Sequence, residues 1–256
     1  EQNKIVQITP SGALEVAEDT IDYPYFFSTW YPQRPEINRH MEFLKSKNYT
    51  KVVIIHDQDA FNTKFSQLYA EAAAENDINI TKIFEVSLGT KDFRTVVTLA
   101  KEYNPDVVVL QIFEVGEIGS VMKNIQELGM RSKIMSTASA QTSNLIESYG
   151  DYVEGNVIFS YPDSSSISYN NFLKKYSEKY DKEPSGASAA AAYDATRIML
   201  EALKHGKTGE EIKNLLYSIK INGTIVDELS FNKAGQISNA PFVMKTVKNG
   251  TFVVVK

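Results

Sequence analysis

PSGASAAAAYDATRIMLEAL, residues 184–203, is the stretch that most strongly decides the fold. Small side chains fill its first half, so a helix here would let another backbone approach closely. Ile198, Leu200 and Leu203 follow, and we predict that these larger apolar residues anchor the helix to a sheet. Buried alanine-rich helices are common, but a long alternation of strands and helices precedes this one. That alternation predicts an α/β protein.

The composition is that of an ordinary globular protein. Apolar residues make up 43% and charged residues 23% of a 256-residue chain, which is long enough for one large domain or two small ones. The net charge of -5 and the lack of a Lys/Arg stripe argue against a nucleic-acid partner. The chain has no cysteine, which excludes disulfides, thiol catalysis and cysteine-ligated metals and fits an extracytoplasmic bacterial protein.

Neither a membrane span nor a leader is visible in the sequence. No apolar run approaches the roughly 20 residues that cross a bilayer. Residues 1–4 lead straight into a strand-like segment, without a secretory signal. We therefore expect an N-terminus that is either mature or cut, and the family pattern described below favours a cut chain.

Strand and helix patterns alternate from residue 5 to residue 159. We predict strands at 5–9, 25–30, 52–55, 80–86, 106–113, 134–135 and 157–159, with helices that begin near Pro35, Asn62, Phe93, Glu117 and Gln141. The continuous apolar run at 52–55 is typical of a strand buried on both faces, and 106–113 is the most hydrophobic predicted strand. The last five strands therefore predict a parallel sheet covered by helices on both sides.

The pattern changes at residues 161–166, a polar and turn-rich link. Three helices are predicted beyond it, at 167–180, 185–205 and 208–218. A β-rich tail follows from 229 to 255, with a hairpin turn at Asn249-Gly250. The three helices have apolar faces but no strands of their own, so they need a sheet from elsewhere.

The sequence carries no recognisable enzyme signature. Gly116 and Gly119 miss the spacing of a dinucleotide-binding loop and are expected to shape a helix start, and no P-loop or nucleophile elbow occurs. The three histidines have no metal-ligand spacing. Asp57 and Asp59 follow a strand as in the acidic pocket of a receiver domain, but this architecture is far larger. We predict no catalytic residue, no metal and no cofactor.

Aromatic and small polar residues follow the predicted strand ends. In open parallel sheets, ligands bind beyond the carboxyl ends of the strands. Each aromatic residue alone would suit the core, but their joint placement at one edge predicts a binding site. The candidate residues are Ser11, Gly12, Ala13, Trp30, Phe61, Phe113, Glu114, Ala138 and Ser139.

The ordered segments TPSGA (9–13), YFFSTW (25–30), KVVIIHDQDAF (51–61) and NPDVVVLQIF (104–113) resemble the type I periplasmic solute-binding proteins. The similarity is to the branch that binds leucine, isoleucine and valine. Residues 183–203 and 229–255 resemble the closing pattern of that branch, so the resemblance covers essentially the whole chain.

The resemblance implies two doubly wound α/β lobes, joined by hinge crossovers, that close on a small solute. Residues 1–33 and 161–240 would belong to lobe 1, and residues 34–160 and 241–256 to lobe 2. Family members begin with a further β-α-β-α-β stretch that this chain lacks, so lobe 1 is expected to be incomplete. The chain would then be truncated or processed, or its lobe 1 would be completed by self-association with another molecule.

The resemblance also implies roles for individual residues. The carboxylate-binding turn of the family falls on Ser11–Ala13, and its aromatic walls fall on Phe61 and Phe113. Its ammonium-binding acid falls at Ala138, where no carboxylate exists, so either Glu114 substitutes or the ligand has no amine. We expect a small, partly apolar ligand whose anionic or carbonyl group faces Ser11–Ala13 and whose flat or aliphatic part lies against the two phenylalanines.

The function implied is capture of an amino acid or a related carboxylate or aromatic compound, for delivery to the permease and ATPase of an ABC transporter. The protein would be periplasmic or extracellular, with a lipid anchor as one option, and would not be an enzyme. Two alternatives stay open on sequence alone: the ligand-binding sensor domain of a membrane receptor, and an enzyme on a flavodoxin-like sheet.

Overall fold

The computed structural model describes residues 4–11, 23–160, 166–184, 186–238 and 240–255. The chain separates into two compact units. Unit 1 is residues 1–33 with 161–241, and unit 2 is residues 34–160 with 242–256. The equivalence of these units with the two lobes of the family stays a prediction.

Every strand and helix predicted above occurs, with ends that differ by at most two residues. The strands are β1 (Gln7–Thr9), β2 (Phe26–Ser28), β3 (Lys51–Asp57), β4 (Asn79–Val86), β5 (Val107–Gln111), β6 (Lys133–Ser136), β7 (Val157–Ser160), β8 (Ile221–Asn222), β9 (Glu228–Leu229), β10 (Val243–Lys248) and β11 (Thr251–Val254). The α-helices are α1 (Gln33–Ser46), α2 (Ala60–Glu75), α3 (Arg94–Glu102), α4 (Val115–Glu127), α5 (Ser143–Tyr149), α6 (Ile167–Tyr180), α7 (Ala187–Leu203) and α8 (Gly209–Leu216).

Unit 2 is built on a seven-stranded sheet of order β11-β10-β7-β6-β5-β3-β4. Strands β3 to β7 run parallel, which confirms the predicted five-stranded parallel arrangement. The β-rich tail adds an antiparallel edge to this sheet, because β10 pairs antiparallel with both β7 and β11. The hairpin turn at Asn249-Gly250 is confirmed, since both residues have positive φ, at 52° and 69°.

The central strands β3 and β5 of the unit 2 sheet are buried on both faces, as their apolar sequences predict. All five residues of β5 are buried, and so is β3 apart from Lys51. Alternate residues of these strands, such as Ile55 and Leu110, pack with α3 and α4 into one continuous core. Their neighbours point to the opposite face and are equally buried. In such a sheet the carboxyl ends of the strands form an open edge, which is called the rim below.

Gly119 has a packing role within α4. A Cβ at this position would lie 2.2 Å from ring carbons of Tyr149, so only glycine leaves room for that ring. The hydroxyl of Tyr149 donates a hydrogen bond to the carbonyl oxygen of Gly116, at 2.7 Å. The two glycines therefore help to join α4 to α5.

Unit 1 contains the parallel pair β1–β2, the antiparallel pair β8–β9 and helices α6, α7 and α8. Helix α7 packs on β1 through its alanines, and Ala190 and Ala191 are fully buried. The Thr29 hydroxyl, next to β2, donates to the carbonyl oxygen of Ala191 at 2.9 Å. A side chain of unit 1 thus reaches the helix backbone directly, at a position where α7 carries only small side chains.

The predicted anchoring role of Leu200 and Leu203 is wrong. Ile198 is fully buried, but Leu200 and Leu203 are 56% and 50% exposed. Leu200 lies roughly 200° around the helix from Ile198, so the two cannot meet the same layer. In the described part of unit 1 the β1–β2 pair covers just one face of α7.

Within the described ranges, no helix combines the length and the apolar character that crossing a membrane requires.

Candidate functional site

Five of the predicted site residues lie at one edge of the unit 2 sheet. Strands β3, β5 and β6 are neighbours and run parallel, so their carboxyl ends share an edge. Each is followed there by candidate residues. Phe61 begins α2 after β3, Phe113 and Glu114 follow β5, and Ala138 and Ser139 follow β6 in a short 3-10 turn.

The two phenylalanines of this edge form a ring pair. The centroids of Phe61 and Phe113 are 5.5 Å apart, and their planes are tilted by 43°. Phe65, one turn further along α2, is buried and stacks behind Phe61 at 6.5 Å. Phe113 keeps 42% of its surface exposed. The pair therefore presents a fixed apolar surface to whatever occupies the rim.

A buried carboxylate fixes the backbone around this ring pair. Asp57, at the end of β3, is 2% exposed. Its Oδ1 accepts from the Asp59 backbone N–H at 3.0 Å and from Asn62 Nδ2 at 2.7 Å, and its Oδ2 accepts from the Phe113 backbone N–H at 3.4 Å. Asp59 in turn caps α2 by accepting from the Phe61 N–H. Asp57 thus ties together the loops that carry both rings.

Two further residues of this edge were missed by sequence reasoning. Asn62 and Gln111 are both buried, and Gln111 Nε2 donates to Asn62 Oδ1 at 3.0 Å. Gln111 could have been found, because it is the one polar residue in the strand VVVLQ. A polar side chain that ends an otherwise apolar buried strand is informative, since it must find partners inside the protein.

The rim beside Phe113 is acidic. Glu114 is exposed and precedes α4 without making a side-chain cap. Burial raises the pKa of Glu117 above its usual range, the negative charges of Asp57 and Glu114 act in the same direction, and Lys91 opposes them. Ala138 and Ser139 are half-buried and add no charge. A carboxylate is therefore present at this edge, but on the β5 loop and not on the β6 loop.

Two more predicted residues lie in unit 1. Thr9 pairs with Ser28 in the parallel β1–β2 ladder, so Ser11 and Trp30 follow the same edge of that pair. Ser11 is exposed, and its backbone N–H donates to Thr9 Oγ1 at 3.3 Å. Trp30 stacks on Tyr31, with centroids 5.2 Å apart. Gly12 and Ala13 lie outside the described residues, so Ser11 is the described member of the predicted carboxylate-binding turn.

These features define an α/β protein with a candidate small-molecule site at the open edge of a parallel sheet. The chain belongs to the periplasmic binding protein family, whose model matches residues 1–251. The recognition of a type I binding protein of the branched-chain amino acid branch is thereby confirmed, together with its α/β fold.

Curated relatives are similar over most of this chain. The Leu/Ile/Val/Thr-binding protein of Salmonella typhimurium is 22% identical over 202 residues, which is 78% of this chain and 55% of that relative. The Leu/Ile/Val-binding protein of Escherichia coli is 20% identical over 78% of this chain and 54% of its own length. The chain thus spans about half the length of the curated relatives it matches.

Solved structures show the same fold. A leucine binding protein from Thermotoga maritima aligns with a TM-score of 0.81 and 23% identity, over 100% of this chain and 73% of that one. A solute-binding protein of an ABC transporter from R. palustris, in complex with benzoate, aligns with a TM-score of 0.82 and 14% identity, over 99% and 71%.

Proposed function

We propose that this protein is an extracytoplasmic solute-binding protein, without catalytic activity, that captures a small molecule for an ABC transporter. The observation that carries the proposal is the partly exposed Phe61–Phe113 ring pair at the carboxyl edge of the unit 2 sheet, held by the buried Asp57. Family members are binding proteins, and the relatives named above bind amino acids or an aromatic acid.

The proposed ligand is small and partly apolar. Its flat or aliphatic part packs on Phe61 and Phe113, which offer apolar surface without charge. Its carboxylate or carbonyl group faces Ser11–Ala13, on which the carboxylate-binding turn of the family falls by resemblance. Trp30 and Ser139 contribute further contacts.

A calorimetric screen tests this function. The purified protein is titrated with the common amino acids, their deaminated analogues and a set of aromatic acids. We expect at least one of these classes to bind with a dissociation constant in the micromolar range or below. Binding of none of them would contradict the proposal, and turnover of any of them would place the protein among enzymes.

Ordinary branched-chain amino acids are expected to bind weakly. Ala138 cannot offer the charged hydrogen bond that an ammonium group needs when it leaves water. Loss of such a bond costs at least about 2 kcal/mol, which is more than tenfold in affinity. We therefore predict that leucine binds at least tenfold more tightly to Ala138→Glu than to the wild type, measured by calorimetry.

Glu114→Gln is the matched variant for this prediction. If the wild type binds leucine tightly and Glu114→Gln abolishes the binding, Glu114 is a relocated ammonium partner. Tight leucine binding that survives in Glu114→Gln would contradict the argument from Ala138. Ser139→Ala serves as a control, because it changes a neighbour in the same turn without changing charge.

Unit 1 is proposed to associate with a second copy of the chain. Four aromatic residues, Phe172, Tyr176, Tyr180 and Tyr193, line a cavity of about 650 Å³ between α6 and α7. Tyr180, Tyr193, Leu200 and Leu203 are each about half exposed, at 50–56%. Soluble monomers rarely expose contiguous apolar surface of this kind, which supports the proposal.

Light scattering measures this association. We expect a mass above that of one chain at micromolar concentration, and a lower mass for the double variant Leu200→Glu/Leu203→Glu. The double variant Leu99→Glu/Leu88→Glu is the control, because those leucines are also exposed but lie in unit 2. A monodisperse monomer of the wild type would contradict the prediction.

The proposed partners in transport are a membrane permease and its ATPase, and the proposed location is periplasmic or extracellular, with or without a lipid anchor. Stimulation of the ATPase by ligand-loaded protein, in vesicles that contain the cognate transporter, distinguishes transport from a sensor role.

A further inference from the structure

Two buried polar atoms on one face of the sheet, at the edge that carries the ring pair, have no hydrogen-bond partner among the described residues. They are Gln111 Oε1, at the end of β5, and Thr137 Oγ1, just after β6. The two residues are 1% and 8% exposed. Buried polar atoms are nearly always hydrogen-bonded, because an unpaired one loses its hydrogen bonds to water without gaining any in the protein.

The orientation of the Gln111 amide follows from the charge of Asp57. Asn62 Nδ2 donates to the Asp57 carboxylate at 2.7 Å, so Asn62 Oδ1 is the atom left for Gln111. Gln111 must therefore place its Nε2 donor there, at 3.0 Å, and direct its Oε1 elsewhere. The unpaired atom, Gln111 Oε1, is a hydrogen-bond acceptor, so the group that binds it must be a donor.

Thr137 lies next to Gln111 on the neighbouring strand. Leu110 pairs with Ser136 in the β5–β6 register, and the following residues are Gln111 and Thr137. Thr137 continues the extended backbone, with φ -74° and ψ 174°, so its side chain lies on the same side of the sheet as that of Gln111. The two atoms do not bond to each other, so each lacks a hydrogen-bond partner among the described residues on the same side of the sheet.

A hydroxyl group has the chemistry to pair with both atoms. Its hydrogen can be donated to Gln111 Oε1, and its oxygen can accept the hydrogen of Thr137. Gln111 also adjoins the ring pair, through Asn62 and along the chain. Asn62, which binds Gln111, follows Phe61 directly, and Gln111 precedes Phe113 by two residues.

We propose that Gln111 and Thr137 form a subsite for a hydroxyl group on the apolar part of the ligand. The ligand class is then a small hydroxylated acid: a hydroxyaryl carboxylate or a hydroxylated amino acid. This inference rests on the proposed function and adds the feature that selects among the solutes.

Pairs of ligands that differ only by hydroxyl and methyl test the subsite. The probes are 3- and 4-hydroxybenzoate against 3- and 4-methylbenzoate, and threonine against valine, titrated by calorimetry. In the wild type, the hydroxyl member of at least one pair binds about tenfold or more tightly than its methyl partner. In Thr137→Val and in Gln111→Leu, that ratio falls to about one or inverts.

Ser136→Ala is the matched control. Ser136 Oγ is also buried and unpaired at the end of β6, but its side chain points to the opposite face of the sheet. Its removal leaves the hydroxyl-to-methyl ratio unchanged. Thr137→Val is nearly isosteric with the wild type, so it still tests the proposed subsite if Gln111→Leu fails to fold.

Three results would overturn the inference: equal affinity within every pair in the wild type, a ratio that survives Thr137→Val, or an equal loss in Ser136→Ala. A change in melting temperature without any change in selectivity would mean that the two residues hold a buried water. In each of these cases a solute still binds, so the proposed function stands. If no solute of the wider screen binds, the proposed function fails and the inference fails with it.

Discussion

Replacing Asp194 by alanine is expected to lower the melting temperature by roughly 6–12 °C. Asp194 lies in α7 and is 2% exposed. Its carboxylate accepts from the backbone N–H and the hydroxyl of Thr224, both at 2.6 Å, and from Arg197 Nη1 at 3.3 Å. Removal of this acceptor leaves buried donors unpaired and costs about 3 kcal/mol.

The measurement is thermal unfolding followed by circular dichroism, with two matched variants. Asp227→Ala removes an exposed carboxylate from the loop that contains Thr224. It is expected to change the free energy of unfolding by less than about 0.5 kcal/mol. Thr224→Val removes the hydroxyl and keeps the backbone N–H, so its melting temperature should lie between those of the wild type and Asp194→Ala. An Asp194→Ala protein that melts within about 2 °C of the wild type would show that the hydrogen bonds of Asp194 contribute little to stability.

Phe113→Ala is expected to weaken ligand binding by roughly thirtyfold or more while the fold stays intact. The side chain is 42% exposed in the free protein, so its loss leaves little cavity in the core. A ligand that covers the ring buries apolar area worth about 2 kcal/mol, which corresponds to that change in affinity. The dissociation constant is measured by calorimetry with the tightest solute of the screen.

Tyr103→Ala is the control for this prediction. Tyr103 is 39% exposed and contacts another aromatic ring, Phe84, at 6.1 Å, but it follows α3 and precedes β5. It therefore lies toward the amino edge of the sheet, away from the candidate site. Equal losses of affinity in the two variants, or none in Phe113→Ala, would remove the ring pair from the binding site.

Most of the fold could be predicted because its determinants are local. The apolar runs at β3 and β5 allow just one environment, a strand buried on both faces. The alanines of α7 likewise predicted a close approach to this helix, and the hydroxyl of Thr29 reaches its backbone at Ala191. The direction of β10 could not be predicted, because the pairing of a strand with a distant partner depends on how the whole chain is routed.

The candidate site was predictable in part. Phe61, Phe113 and Ala138 follow strand ends, and the order of strands in a parallel sheet brings such positions together. The Asp57–Asn62–Gln111 chain of hydrogen bonds could not be predicted, because it joins residues up to 54 positions apart through side-chain orientation alone. The anchoring role predicted for Leu200 was wrong because the apolar character of a side chain does not show whether another element packs on it.

The C-terminal hairpin β10–β11 affects the order in which parts of the protein can fold during synthesis. Val247 of β10 is buried in the unit 2 core, and Phe252 of β11 packs against it. Residues 34–160 therefore leave the ribosome with one flank of their sheet bare, and must wait for the synthesis of roughly eighty intervening residues before residues 242–255 can cover it. After a nick near residue 241, the hairpin would be held to residues 34–160 by non-covalent contacts alone, through the pairing of β10 with β7.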